Sequence, residues 1–233
     1  MTMDPLLRAL DSRGEPALFW LRDDDAVKPT AALDRLLSLG SGSVPMTVAA
    51  IPAATDEELA ARLAREAQVT VAVHGWSHQN HATEGKKQEL GGHRPTEVVL
   101  GELAKGFTRL KTLHGPQFLP MLVPPWNRID ASVVAGLPAL GFEALSVFGT
   151  EKPAPIRMVN THVDLIDWHG TRGGRPDTEL VSEITRRLEQ DRVVGILTHH
   201  LVHDATAWRF LDRLFSATAD HPGCRWVSAR ALI

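Results

Sequence analysis

The sequence predicts a single α/β domain, seven or so parallel strands and their connecting helices wrapped into a closed or nearly closed barrel. Three observations carry that prediction. Short apolar runs rich in β-branched residues recur along the chain, segments of helical periodicity lie between several of them, and no Pro, Gly or Ser-rich linker divides the 233 residues. Strands alternating with helices imply a parallel sheet. A chain of this length buries roughly 70% of the surface that its unfolded form exposes, so its core needs neither disulfides nor a structural metal.

In order, the runs are Ala17 to Leu21, Met46 to Ile51, Val69 to Val73, Phe118 to Val123, Ala144 to Phe148, Val163 to Ile166 and Val193 to Leu197, each reading as a buried strand. The helical segments are Ala31 to Leu39, Glu57 to Glu66, Thr96 to Leu113, Thr178 to Gln190 and Ala205 to Ala219. Pro29-Thr30 precedes the first helix, and Thr55 with Glu58 has the spacing of a capping box. Asp204 stands where an N-cap would begin the last helix. The polar stretch from Ser77 to Arg94, with Gly85, Gly91 and Gly92, reads as a mobile loop.

Composition narrows the function classes. The hydrophobic fraction of 43% and charged fraction of 23% are those of an ordinary globular domain. A net charge of -3 and a pI near 6.4 offer no broad cationic surface, so nucleic acid is not an expected partner. Cys224 is the sole cysteine, which excludes an internal disulfide and a thiolate metal cluster and leaves a buried spectator. No run is long enough for a membrane span, and the opening residues lack a secretory pattern, so a cytoplasmic protein is expected.

In parallel α/β folds, side chains that act on ligands gather at the carboxyl ends of the strands. Asp23, Asp24 and Asp25 follow the first strand, His74 and His78 the third, and Pro124 to Asn127 the fourth. Asp167 ends a later strand, and His199 and His200 follow Val193 to Leu197. His74 and His78, at i and i+4, would share one face of a helical turn and could grip one divalent ion with a carboxylate as third ligand. Two His and one carboxylate leave positions open, as a catalytic ion requires. Three adjacent carboxylates repel one another and are tolerated near a pocket only with a cation or donors present. His81 and His93 read first as loop residues. Arg172 and Arg175 flank Gly173-Gly174 in a loop suited to anion contact or simply solvated.

Phe19-Trp-Leu-Arg-Asp-Asp24-Asp25-Ala, His74-Gly-Trp-Ser-His78, Pro124-Pro-Trp-Asn127, Asp167-Trp168 and Leu197-Thr-His199 resemble, in order, the five motifs of the polysaccharide deacetylases, the NodB-homology group or carbohydrate esterase family 4. The resemblance implies a distorted (β/α)7 barrel, one catalytic domain over residues 1–233, and metal-dependent removal of an N-acetyl or related acyl group. The substrate would be an acetylated sugar or a small amide. Asp24 would be the general base, and Asp25, His74 and His78 would hold the metal, zinc by default, with cobalt, nickel or manganese fitting the same ligands. His199 would protonate the departing amine, Asp167 would hydrogen-bond His199, and the Trp126 N–H would face the oxyanion. Trp76, Pro125 and Trp168 would line the substrate pocket.

The sequence departs from that pattern at four places. Val123 stands where the family has an Arg whose guanidinium pairs with the base, so that its loss could mark lost catalysis, with Arg22 or Arg128 the candidates to replace it; Ala26 and Asn127 stand for Gly, and His200 for Asp. The aspartate run also permits the pair Asp23 and Asp24, though Ala26 in the small position favours Asp24 and Asp25. Two other functions fit the same residues. One is a metal- or carbohydrate-binding module that has lost catalysis; the other is a metal hydrolase of another bond, with His199 and His203 helping to hold a second ion.

Overall fold

In the computed structural model, which describes residues 3–233, the chain runs α1 (Asp4–Asp11), β1 (Ala17–Ala26), α2 (Ala31–Leu39), β2 (Met46–Ala50), α3 (Glu57–Leu63), β3 (Val69–His74), α4 (Thr96–His114) and β4 (Phe118–Val123). It continues with α5 (Ala131–Gly136), β5 (Ala144–Leu145), β6 (Arg157–Met158), β7 (Val163–Asp164), α6 (Asp177–Gln190), β8 (Val193–Thr198), α7 (Ala205–Thr218) and β9 (Cys224–Trp226). The seven expected strands and five expected helices are all present. β1 runs to Ala26 rather than Leu21, β5 is shorter than expected, and α1, α5, β6 and β9 are additional.

The strands form one parallel sheet in the order β6-β5-β4-β3-β2-β1-β8-β7, with β9 beside the start of β1. The α/β class and parallel sheet are as expected, but the sheet is a curled half-barrel where a closed or nearly closed barrel was expected. β6 and β7 are two-residue pieces of one extended segment, residues 157–164. Its first part bonds toward β5, through Val159 N to Leu145 O (3.0 Å), and its second toward β8, through His162 N to Gly195 O (2.7 Å). The approach to this segment contains Pro153 and Pro155, which have no N–H to donate, so a longer ladder cannot form there.

Side chains alternate across the strands. Phe19, Leu21, Val48, Val71, Val73 and Ile196 pack outward against helix residues such as Leu33, Leu103, Ile184 and Leu211. Trp20, Ala49, Ala72, Met121, Val123 and Ala144 point inward and form a second, smaller cluster. The inward positions are mostly small because Trp20 fills the space; a Cβ on Gly195 would lie 2.5 Å from its Nε1. Thr30 caps α2 by accepting from Leu33 N (3.0 Å), and Asp204 caps α7 by accepting from Thr206 N and Ala207 N (both 2.9 Å). At α3 the cap is Asp56, whose carboxylate accepts from Glu58 N (3.0 Å), and not Thr55 as the spacing suggested. A carboxylate both satisfies the first-turn N–H and complements the helix dipole. Among the described residues no helix is long and apolar enough to cross a membrane. Cys224 is buried, and burial pushes its thiol up to about 12.

Candidate metal centre and active site

The aspartate run divides by strand geometry and by a bulge. Register with β2 advances from Asp23 opposite Val48 to Ala26 opposite Ala50, so β1 spends one residue more than its partner there. Asp25 occupies the extra position with φ 73°, a left-handed conformation that a non-glycine residue rarely adopts. The bulge lets Asp24 and Asp25 both serve the mouth of the half-barrel, which regular alternation forbids. Asp23 faces elsewhere. Fully buried, it accepts from the backbone N and Nδ1 of His200 at 2.8 and 2.6 Å, so the His that departs from the family pattern has this carboxylate as its partner.

Asp25 Oδ1 lies 3.0 Å from His74 Nε2 and 3.3 Å from His78 Nε2, and the three donor atoms fall within 4.8 Å of one another. The segment between the two His is not the helical turn expected. Gly75 and His78 take φ 59° and 58°, and the imidazoles converge through an irregular loop with ring centroids 5.2 Å apart. His74 Nδ1 lies 3.0 Å from the carbonyl of Val123, which can only accept, so Nδ1 carries the proton and Nε2 faces Asp25. Nitrogen and carboxylate can meet at 3.0 Å only with a proton or another cation between them. Burial opposes both charges, but the Asp25–His74 hydrogen bond and the charges around it outweigh it: the Asp25 carboxyl sits well below its ordinary range and His74 is raised. His78 is lowered, by burial first and by the neighbouring His74 second. Two imidazole nitrogens and a carboxylate oxygen aimed at one point suit a divalent cation such as zinc.

Asp24 is buried and paired with Arg22. Arg22 Nη2 donates to Asp24 Oδ2 at 3.0 Å while Nε lies 2.9 Å from Oδ1, a two-pronged contact. The same guanidinium donates to Ser146 Oγ (2.7 Å) and O (3.1 Å) and to Asn127 Oδ1 (2.7 Å). Arg22 therefore meets the carboxylate that the family's missing arginine would meet, reaching it from β1 instead of β4. Val123 points into the same interior. Arg128 does not take part; its Nη1 donates to Lys87 O on the surface. Asn127, in the place of a family glycine, has φ 57° after Trp126 at 56°, and asparagine is among the side chains that tolerate this region best.

His199 Nε2 lies 3.9 Å from Asp24 Oδ2, and Trp168 stands edge-on to the His199 ring with centroids 4.8 Å apart. Asp167 does not contact His199, contrary to expectation. Its oxygens accept from Gly170 N and Thr171 N at 3.0 Å and close a tight exposed turn. The carboxylate on the His199 side is Asp164, which accepts from Trp168 Nε1 at 2.9 Å and whose pKa burial raises. Sequence reading passed over it as an interior strand residue. Trp126 lies tilted at 54° against the His78 ring with centroids 4.4 Å apart, Pro125 is buried against Gly75, and Trp76 is partly exposed. His203 contacts Thr198 and the Trp208 ring, with centroids 4.3 Å apart, and joins no metal-ligating group among the described residues. His81 and His93 likewise join none. Arg175 is engaged by Glu183 at 2.7 Å.

No protein-family model and no curated protein sequence matches the chain. Solved structures do. A Mycobacterium smegmatis protein assigned as a polysaccharide deacetylase superposes with a TM-score of 0.74 at 13% identity, over 94% of this chain and 90% of that one. A family 4 carbohydrate esterase from Streptomyces lividans, in complex with acetate, gives 0.61 at 17%, over 90% and 91%. A mutant, with restored activity, of a family 4 pseudoenzyme gives 0.63 at 16%, over 94% and 68%. The chain has the NodB-type fold of the polysaccharide deacetylases. The presence of a pseudoenzyme in this set means that fold alone does not decide turnover.

Proposed function

We propose that the chain is a metal-dependent amide hydrolase that removes an acetyl or related acyl group from an amino sugar or other small amine. The observation that carries this reading is the convergence of Asp25, His74 and His78 on one point, beside Asp24 and His199 at 3.9 Å from each other. Asp25, His74 and His78 would hold the ion, zinc by default. When bound, such an ion supplies Lewis acidity toward an acyl carbonyl and makes a nearby water more acidic. Asp24 takes the proton of the attacking water as oxygen adds to the acyl carbon. His199 then gives a proton to the nitrogen as the C–N bond breaks, releasing carboxylic acid and free amine. Arg22 keeps Asp24 oriented with one carboxylate edge engaged. The Trp126 N–H faces the developing oxyanion, and Trp76, Pro125 and Trp168 line the substrate's path. Asp167 is left out of the proton relay.

The binding-module reading rests on the missing family arginine, and Arg22 removes its main support. Asp24→Asn decides between them. Hydrolysis of an acetylated amino sugar or small amide panel should fall by at least a hundredfold while one zinc per chain is retained; a wild type with zinc and no turnover on the panel, or a variant as active as wild type, would sink the hydrolase reading. His74→Ala should lose the ion itself.

A further inference from the structure

Glu89 lies in the polar stretch expected to be mobile, yet it is among the fully buried residues of the chain. A buried carboxylate requires donors. Its Oε1 accepts from Ser77 N at 2.7 Å and Ser77 Oγ at 3.1 Å, and its Oε2 lies 3.3 Å from Trp76 N. Those backbone donors belong to the residues between the two His that face Asp25. Because Gly75 and His78 adopt positive φ, the segment is not helical, and the ordinary acceptors of a helical turn do not serve its N–H groups. Glu89 supplies acceptors in their place.

The loop is also held from both sides. A Cβ added at Gly75 would come within 2.1 Å of Glu89 Oε2 and 2.7 Å of Pro125, so only glycine fits between them. Gly75 N donates to Val123 O at 3.2 Å, the carbonyl that also fixes His74. Glu89 is itself anchored: Arg94 Nη2 donates to its carbonyl at 3.3 Å, and the next residue, Leu90, is buried and bridges Ile129.

We propose that Glu89 is a positioning residue for the metal centre, a buried carboxylate that fixes the loop carrying His78 so that its imidazole stays aimed at Asp25 and His74. The proposal rests on the metal reading given above. Groups that orient ligands in this way commonly change metal affinity by ~10 to 100-fold when altered.

The test is zinc affinity, measured by competition with a chromophoric chelator for wild type, Glu89→Gln and Glu89→Asp, each confirmed as folded by near-ultraviolet circular dichroism without zinc. Glu89→Gln keeps the shape and removes one acceptor oxygen, and Glu89→Asp withdraws both oxygens by one methylene. Affinity should fall at least tenfold in both. Affinity within about twofold of wild type would overturn the proposal and leave the metal reading standing; no zinc bound by wild type would remove both. Backbone hydrogen exchange on zinc-free wild type needs no variant to fold: protected amides at Trp76 and Ser77 are expected, and free exchange at both would overturn the proposal.

Discussion

Arg22 places a guanidinium with no solvent exposure against Asp24, whose own exposure is 2%, so deleting one partner strands the other's charge in the interior. Arg22→Met should cost about 3 to 5 kcal/mol of stability by urea denaturation, and the double variant Arg22→Met/Asp24→Asn should recover part of it. Equal and additive losses would show that the pair is not coupled. The residue pairing also explains why two departures from the family pattern coexist. Val123 and Asn127 go together with Arg22 as one exchange, since a guanidinium arriving from β1 takes the Asn127 side-chain oxygen as a partner at 2.7 Å. The sequence named Arg22 and Arg128 as equal candidates. Only the inward face of β1, shared by Trp20, Arg22 and Asp24, separated them.

At the scale of elements, caps were legible where one residue type has one local use. Asp204 accepts from Thr206 N, Ala207 N and, across the loop, Gly174 N at 3.1 Å. Asp204→Ala should lower stability by about 1 to 2 kcal/mol with an unchanged denaturant slope; no loss would mean that α7 starts without its cap. Thr55 misled because its neighbour Asp56 is the stronger cap, and spacing alone cannot rank two adjacent candidates. The His74 to His78 spacing misled differently. Helical periodicity is one way to bring i and i+4 together, but Gly75 at φ 59° opens another path that spacing does not reveal. Asp167 and Asp164 lie three residues apart at the end of one short strand, and the turn closed by Gly170 and Thr171 decides which of them is left facing His199.

For the whole molecule, two imidazoles away from the candidate metal ligands, His114 buried and His203 half-buried, set an acid limit. Burial lowers His114 and His203 from the ordinary 6.5 to about 4, so both stay neutral in the folded chain while the unfolded chain takes up protons below 6.5. The unfolded state then binds more protons between about pH 4 and 6.5, and stability must fall as pH drops through that window. Thermal unfolding of the zinc-free protein should move steadily lower from pH 7 to pH 4.5, and His114→Leu should flatten part of that slope; a profile flat in wild type would refute it. By itself the sequence determined the α/β class, the order of strands and helices, and the five clusters of polar residues at the strand ends, because periodicity and strand-end placement are local properties of the chain. Tertiary structure alone decided the incomplete closure, the bulge that turns Asp25 toward His74, the choice of Arg22 as partner to Asp24, and the burial of Glu89. Each of these depends on contacts between residues distant along the chain or on a backbone conformation held by them, and no local pattern records either.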